Sequence, residues 1–155
     1  MATPEERLAE LGLSVPDVVT PVAAYVPAVR TGNYVFTAGQ LPLRDGQLIA
    51  TGKVGGEVDA DEAKECAQQC ALNAIAAVRS QVGDLSAVVR IVKVVAFVAS
   101  TPDFTAQPQV ANGASELFGN VFGDAGQHAR SAVGVPVLPL DAPVEVELIV
   151  EVAPE

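Results

Sequence analysis

The stretch DADEAKECAQQCALNAIAAVRSQVGDLSAVVRIVKVVAFV, residues 59–98, decides the fold class. In its first half Ala63, Cys66, Ala67, Cys70, Ala71, Ala74, Ile75, Val78 and Val82 recur at helical spacing, while Asp59, Asp61 and Glu62 stand at the N-terminal end, where the helix dipole favours negative charge. This predicts a long helix between Asp59 and Gly83. Its second half, Val88 to Val98, is almost wholly Val, Ile, Ala and Phe, the composition of a strand covered on both sides, and reads as the central strand of a sheet. The small side chains of the helix let it lie close against that sheet.

Toward the N-terminus, Val22–Val29 and Tyr34–Ala38 are rich in β-branched and aromatic residues and predict two strands joined across Arg30-Thr31-Gly32-Asn33. Residues 4–11 suit a short helix with Thr3 as N-cap, Pro4 at its first position and Gly12 as its stop, a peripheral addition to the core. Arg44-Asp45-Gly46-Gln47 is a further turn signal before a possible short strand at Leu48–Ala50. The glycines of Thr51–Glu57 fit neither a Walker loop nor a dinucleotide fingerprint, so this segment reads as a plain loop.

Toward the C-terminus, Thr101-Pro102-Asp103 breaks the chain, and a second helix falls between Phe104 and Phe122, regular from about Pro108, with Leu117, Phe118, Val121 and Phe122 as its buried stripe. Ser131–Leu138 and Val144–Glu151 alternate with a period of two and predict two antiparallel terminal strands. The order is β-β, a short β, α, β, α, β-β: an α+β domain with two helices on one face of a mixed sheet. Its other face, rich in Val and Ala, points to self-association.

The chain has 155 residues, 50% of them apolar and 18% charged, which suits one domain and excludes a disordered chain. No run of about 18 apolar residues is present to span a bilayer. Nine basic against nineteen acidic residues give a formal charge of −10, the wrong sign for neutralising nucleic-acid phosphates. Residues 1–7 lack the basic and apolar regions of a secretory signal, so the expected location is the cytoplasm and the expected membrane partner is none. Cys66 and Cys70, spaced i, i+4, share one helix face and read as small buried apolar side chains. With one His and two Cys, no metal site is expected.

Few residues offer chemistry. No Ser or Cys stands in a nucleophile setting, and His128, in the polar stretch Gly123–His128, reads as a loop residue. Arg130 opens a Val-rich strand just after that loop, where a guanidinium fork at a sheet end matches a carboxylate. Glu145, Glu147 and Glu151 share one face of the last strand, by default a solvated one.

Tyr25, the run Gly32-Asn33-Tyr34-Val35-Phe36-Thr37-Ala38-Gly39-Gln40-Leu41-Pro42, then Ala129-Arg130-Ser131-Ala132-Val133, Leu138-Pro139 and Val144-Glu145-Val146-Glu147 together resemble the Rid (reactive intermediate deaminase, YjgF-like) family over residues 20 to 153. The resemblance implies a chorismate-mutase-like (bacillar type) fold in a single domain over residues 1–155, with an N-terminal extension at 1–20 and a core at 21–153. It implies a homotrimer with clefts between subunits and no cofactor.

In the deaminase branch the arginine matching Arg130 grips the carboxylate of 2-imino or 2-amino-enoic acids, whose C=N bond is hydrolysed to a 2-oxo acid and ammonia. By position, Tyr25, Gly39, Asn112 and Ala132 would line the pocket, and Glu145, or Glu147 if the preceding turn differs in length, would orient the water. Ala38 and Ala132 replace a serine and a cysteine common in that branch, which puts turnover in question. The resemblance therefore leaves a non-catalytic 2-oxo-acid binding or regulatory protein as the alternative. A third reading, a chaperone-like or translation-inhibiting activity, is disfavoured by the scarcity of basic residues.

Overall fold

The computed structural model of the chain describes residues 1–21 and 23–155. In chain order its elements are α1 (Pro4–Glu10), β1 (Ala28–Thr31), β2 (Tyr34–Thr37), β3 (Leu43–Arg44), β4 (Gln47–Leu48), α2 (Ala60–Val82), β5 (Val88–Ala99), α3 (Gln107–Phe122), β6 (Ala129–Val135) and β7 (Val144–Val152). Five strands form one mixed sheet in the order β1-β2-β7-β5-β6, and β3 and β4 form a separate small hairpin around Asp45-Gly46. This is the expected α+β fold.

The long helix forms as its pattern dictates. The Asp59 carboxylate accepts the Glu62 N–H at 2.8 Å, capping α2, and Gly83 at φ +80° ends it. Ala63, Cys66, Ala67, Cys70, Ala71, Ala74, Ala77 and Val78 are all buried. So little side chain intervenes between α2 and α3 that a Cβ at Gly113 would run into the Lys64 carbonyl oxygen. α2 packs on β1, β2 and β7, and α3 on β5 and β6, so both helices cover one face.

β7 shows how the two faces differ. Val144, Val146, Leu148, Val150 and Val152 are buried against the helices, while Glu145, Glu147, Ile149 and Glu151 look to the other side. That open face also exposes Val29, Tyr34, Phe36 and Val133, each more than 40% accessible. No helix among the described residues is long and apolar enough to cross a membrane.

Several expectations need correction. β5 is an internal strand but β7 takes the middle place: β2 and β5 are both antiparallel to β7, so they run parallel to each other with β7 filling the slot that the α2 crossover leaves. The two terminal strands run in opposite directions yet are not neighbours, because β5 lies between them, parallel to β6 through the α3 crossover. The first strand begins at Ala28, not in the low twenties, since Pro27, whose carbonyl still accepts from Ala38, has no N–H to carry the ladder further; Val22 itself lies outside the described residues. The short strand expected at Leu48–Ala50 is instead the two-residue arms of the hairpin. Finally, α1 is no peripheral addition. Leu8 is fully buried in the shared core and the Glu5 carboxylate accepts the Leu85 N–H.

Candidate active site

Arg130 is the second residue of β6, an edge strand, and its Cα partner on β5 is Val94, whose own partner on β7 is the buried Leu148. Cα partners point the same way, so Arg130 leaves the sheet on the helix side. There α3 meets it. Asn112 and Ser115, three residues apart on that helix, present Oδ1 and Oγ, to which Arg130 Nη1 donates at 2.8 and 3.1 Å.

The charge of this guanidinium is uncompensated. Among the described residues the ion pairs join Arg30 to Glu155, Lys53 to Asp141 and Lys64 to Glu116, and Arg130 Nε and Nη2 donate to no protein acceptor. A partly buried cation held only by neutral acceptors can take an anion as its counter-charge, and a fork with one edge anchored has the other free for paired hydrogen bonds of the kind a carboxylate accepts.

That fork lines a cavity of about 360 Å³ together with Ser115, Gly119, Gly126, Gln127 and His128. Gly126 is required here: a Cβ would collide with the Phe118 carbonyl, so only glycine lets the loop after α3 settle onto the helix end. At Gly119 an added Cβ meets nothing within 4 Å. His128 is fixed on two sides, its ring edge-on to Phe118 at 6.0 Å and 87°, and its Nδ1 3.1 Å from the Ala129 carbonyl oxygen. Burial above all lowers the imidazole pKa below 6.5; the hydrogen bond to the Ala129 carbonyl opposes this, and the Arg130 charge adds a smaller push downward. Ala132, opposite Ala96 on the same face as Arg130, adds no polar atom.

Glu145 stands elsewhere. Its Cα partner is Phe97, whose partner on β6 is the exposed Val133, so the carboxylate lies on the open face. Gly39 covers it so closely that a Cβ there would overlap Glu145 Oε1. Burial, and secondarily Glu147, raises the Glu145 carboxyl pKa.

The chain just after Gly39 is held in place by the sheet and by α2. Gln40 exchanges both backbone hydrogen bonds with Val146, and two buried amides of α2, Gln69 and Asn73, donate to the carbonyls of Leu41 and Leu43.

The structure thus brings Arg130 and Asn112 together with Ala132 nearby, and separately pairs Glu145 with Gly39 on the opposite face of the sheet. Tyr25, in the bend before β1, is 56% exposed, and its side chain makes no hydrogen bond to either group among the described residues. Sequence reasoning missed Ser115 and took His128 for a plain loop residue. The available signals were the i, i+3 relation of Ser115 to Asn112 and the two-residue spacing of His128 from Arg130.

Comparison with known proteins decides the family. Residues 5–152 match the model described as "YjgF/chorismate_mutase-like, putative endoribonuclease". The chain belongs to the YjgF/chorismate mutase-like family. Among YjgF-like relatives, protein TCP17 of Trypanosoma cruzi is 42% identical over 146 residues, 94% of this chain and 91% of that one. The 2-iminobutanoate/2-iminopropanoate deaminase of Dermatophagoides farinae is 34% identical over 140 residues, covering 89% and 93%.

Of solved structures, an Agrobacterium tumefaciens protein of unknown function superposes with a TM-score of 0.91 at 45% identity, covering 96% of this chain and 92% of that one. Escherichia coli TdcF with bound serine superposes at 0.65 with 25% identity, covering 86% and 92%.

Proposed function

We propose that the chain hydrolyses small 2-imino and 2-enamino acids to 2-oxo acids and ammonia. The observation that carries this reading is the uncompensated Arg130 fork, held by Asn112 and Ser115 at the lip of a cavity sized for a small ligand. The deaminase named among the relatives and the amino acid bound by TdcF support a carboxylate ligand.

An iminium carbon is already electrophilic, so the protein needs chiefly to hold the substrate and deliver water. Arg130 grips the carboxylate. Water attacks C2, and the C–N bond breaks with the nitrogen leaving as ammonia. Gly39, Tyr25 and Glu145, the last of these positioning the water, join the cleft from a neighbouring copy when three chains associate through the open sheet face. The exposed Val29, Tyr34, Phe36 and Val133 on that face support such an assembly.

A second reading, a trimeric 2-oxo-acid binding protein without turnover, is favoured by one specific observation: Ala38 and Ala132 supply no polar side chain to the cleft. The test generates 2-iminobutanoate in situ with an amino-acid oxidase and traps what remains with semicarbazide. The expected result is faster loss of imine with the protein and none with Arg130→Ala. No acceleration, alongside measurable 2-oxobutanoate binding, overturns the first reading in favour of the second.

A further inference from the structure

We infer that His128 is the group that reads the nitrogen of the ligand, accepting an N–H from an imino or amino group while Arg130 holds the neighbouring carboxylate. This rests on the proposed carboxylate-anchoring role of Arg130 and deepens it.

Four observations support the inference. First, His128 and Arg130 line the same cavity. Second, they are two residues apart where the backbone has turned extended: Gln127 has φ −76° and ψ 121°, and β6 begins at Ala129. Residues i and i+2 of extended chain project to one side about 6.6 Å apart, a span that one small acid bridges when its carboxylate faces one residue and its C2 substituent the other.

Third, the ring is set. A carbonyl oxygen only accepts, so Nδ1, 3.1 Å from Ala129 O, carries the hydrogen, and Phe118 fixes the ring plane. Nε2 is then left with a lone pair, and among the described residues it meets no protein partner. Fourth, burial, with a smaller push from the Arg130 charge, outweighs the Ala129 hydrogen bond and shifts the imidazole toward its neutral form, which favours that lone pair near neutral pH.

An acceptor at this place discriminates. An imino or amino acid presents N–H to Nε2, whereas a 2-oxo acid presents only carbonyl lone pairs, which repel it. The cavity therefore prefers the nitrogen-bearing acid over the oxo acid of the same skeleton. For a hydrolase this helps release: once C=N has become C=O, the contact that held the substrate is gone.

The experiment measures the affinities of 2-aminobutanoate and 2-oxobutanoate by calorimetry for the full chain and three variants. His128→Phe keeps an aromatic ring edge-on to Phe118 and deletes the acceptor, His128→Asn restores an acceptor, and Arg130→Gln removes the anchor. The expected pattern for His128→Phe is a loss of roughly ten- to a hundredfold for 2-aminobutanoate, the size of one charge-assisted hydrogen bond, with 2-oxobutanoate unchanged or tighter. His128→Asn recovers part of the loss, and Arg130→Gln loses both ligands.

Equal losses for the two ligands in His128→Phe, or no loss for either, overturn the role of His128 while leaving the anchor standing. Retention of 2-oxobutanoate by Arg130→Gln overturns the anchor itself. Failure of the unmodified chain to bind either ligand overturns both.

Discussion

Replacing Asn112 by Asp changes one atom and tests the site from an unusual direction, because it leaves Arg130 in place. Asn112 Oδ1 accepts from Arg130 Nη1 at 2.8 Å, and a carboxylate of the same shape would turn this neutral contact into an ion pair. The guanidinium would then carry its own counter-charge, and an incoming carboxylate on the free Nε and Nη2 edge would meet a like charge across the fork. At about 5 Å and an effective dielectric constant near ~20, two unit charges repel by about 3 kcal/mol. Solvent and salt at the cavity mouth halve this, so the expected loss of affinity for 2-oxobutanoate is roughly ten- to a hundredfold.

Stability should move the other way. Asn112→Asp gives a partly buried cation the partner it lacks, so Tm holds or rises. The assay pairs calorimetric titration with thermal unfolding of the same samples, at low and high salt. Weaker binding without a fall in Tm, with the deficit shrinking as salt rises, is the expected signature. Undiminished affinity for 2-oxobutanoate would refute the reasoning, since a true anchor cannot be indifferent to an anion on its other edge.

Gly119→Leu should also separate the two properties: it fills the cavity where a Cβ meets nothing, abolishing ligand binding, while replacing a helical glycine raises stability by about 0.8–1 kcal/mol, readable in urea unfolding. Gly113→Ala should do the opposite to the fold, forcing α3 off the Lys64 carbonyl and costing about 1–3 kcal/mol as read in the same assay. Glu145→Gln tests the open face through pH. Burial raises the folded-state pKa above 4.5, so the ionised form is penalised in the folded chain at neutral pH, and that penalty disappears as pH falls through the raised value to below 4.5. The variant should therefore melt higher than the parent at pH 7, with the gap closing near pH 4; a gap that persists at low pH would show that the charge is not its cause.

Local periodicity carried much of the fold. Asp59 to Gly83 formed a helix because its apolar positions, acidic first turn and terminal glycine agree, and the Val144 to Val152 alternation told buried from open positions residue by residue. Two properties were not legible because they are not local. Strand order depends on which crossover leaves a slot, so the middle place of β7 is visible only once β2, α2 and β5 are assembled. The burial of Leu8 depends on α1 folding back onto α3 and Leu85, for which a seven-residue amphipathic segment gives no address. In the site, Arg130 and Asn112 were each named by position in the resemblance, but their contact, and the places of Ser115 and His128, became visible only once α3 and the loop after it lay beside the arginine.

The separation of Arg130 from Glu145 has the same origin and leads further. Their spacing along the chain says nothing about which way each points, because β6 and β7 are not paired with each other. Both are paired with β5, where Arg130 lies opposite Val94 and Glu145 opposite Phe97. An odd step along one strand reverses the face, so the two side chains must leave the sheet on opposite sides. Glu147, opposite Val95, is again an odd step from Val94, so shifting to the other glutamate does not bring a carboxylate to the arginine. Neither glutamate of β7 can therefore serve the Arg130 cavity within its own chain, and each would reach it only from a second copy, whereas His128 lines that cavity in the same chain. Reaction chemistry that depends on Glu145 should thus fade on dilution into single chains, while recognition of the ligand nitrogen by His128 should survive it.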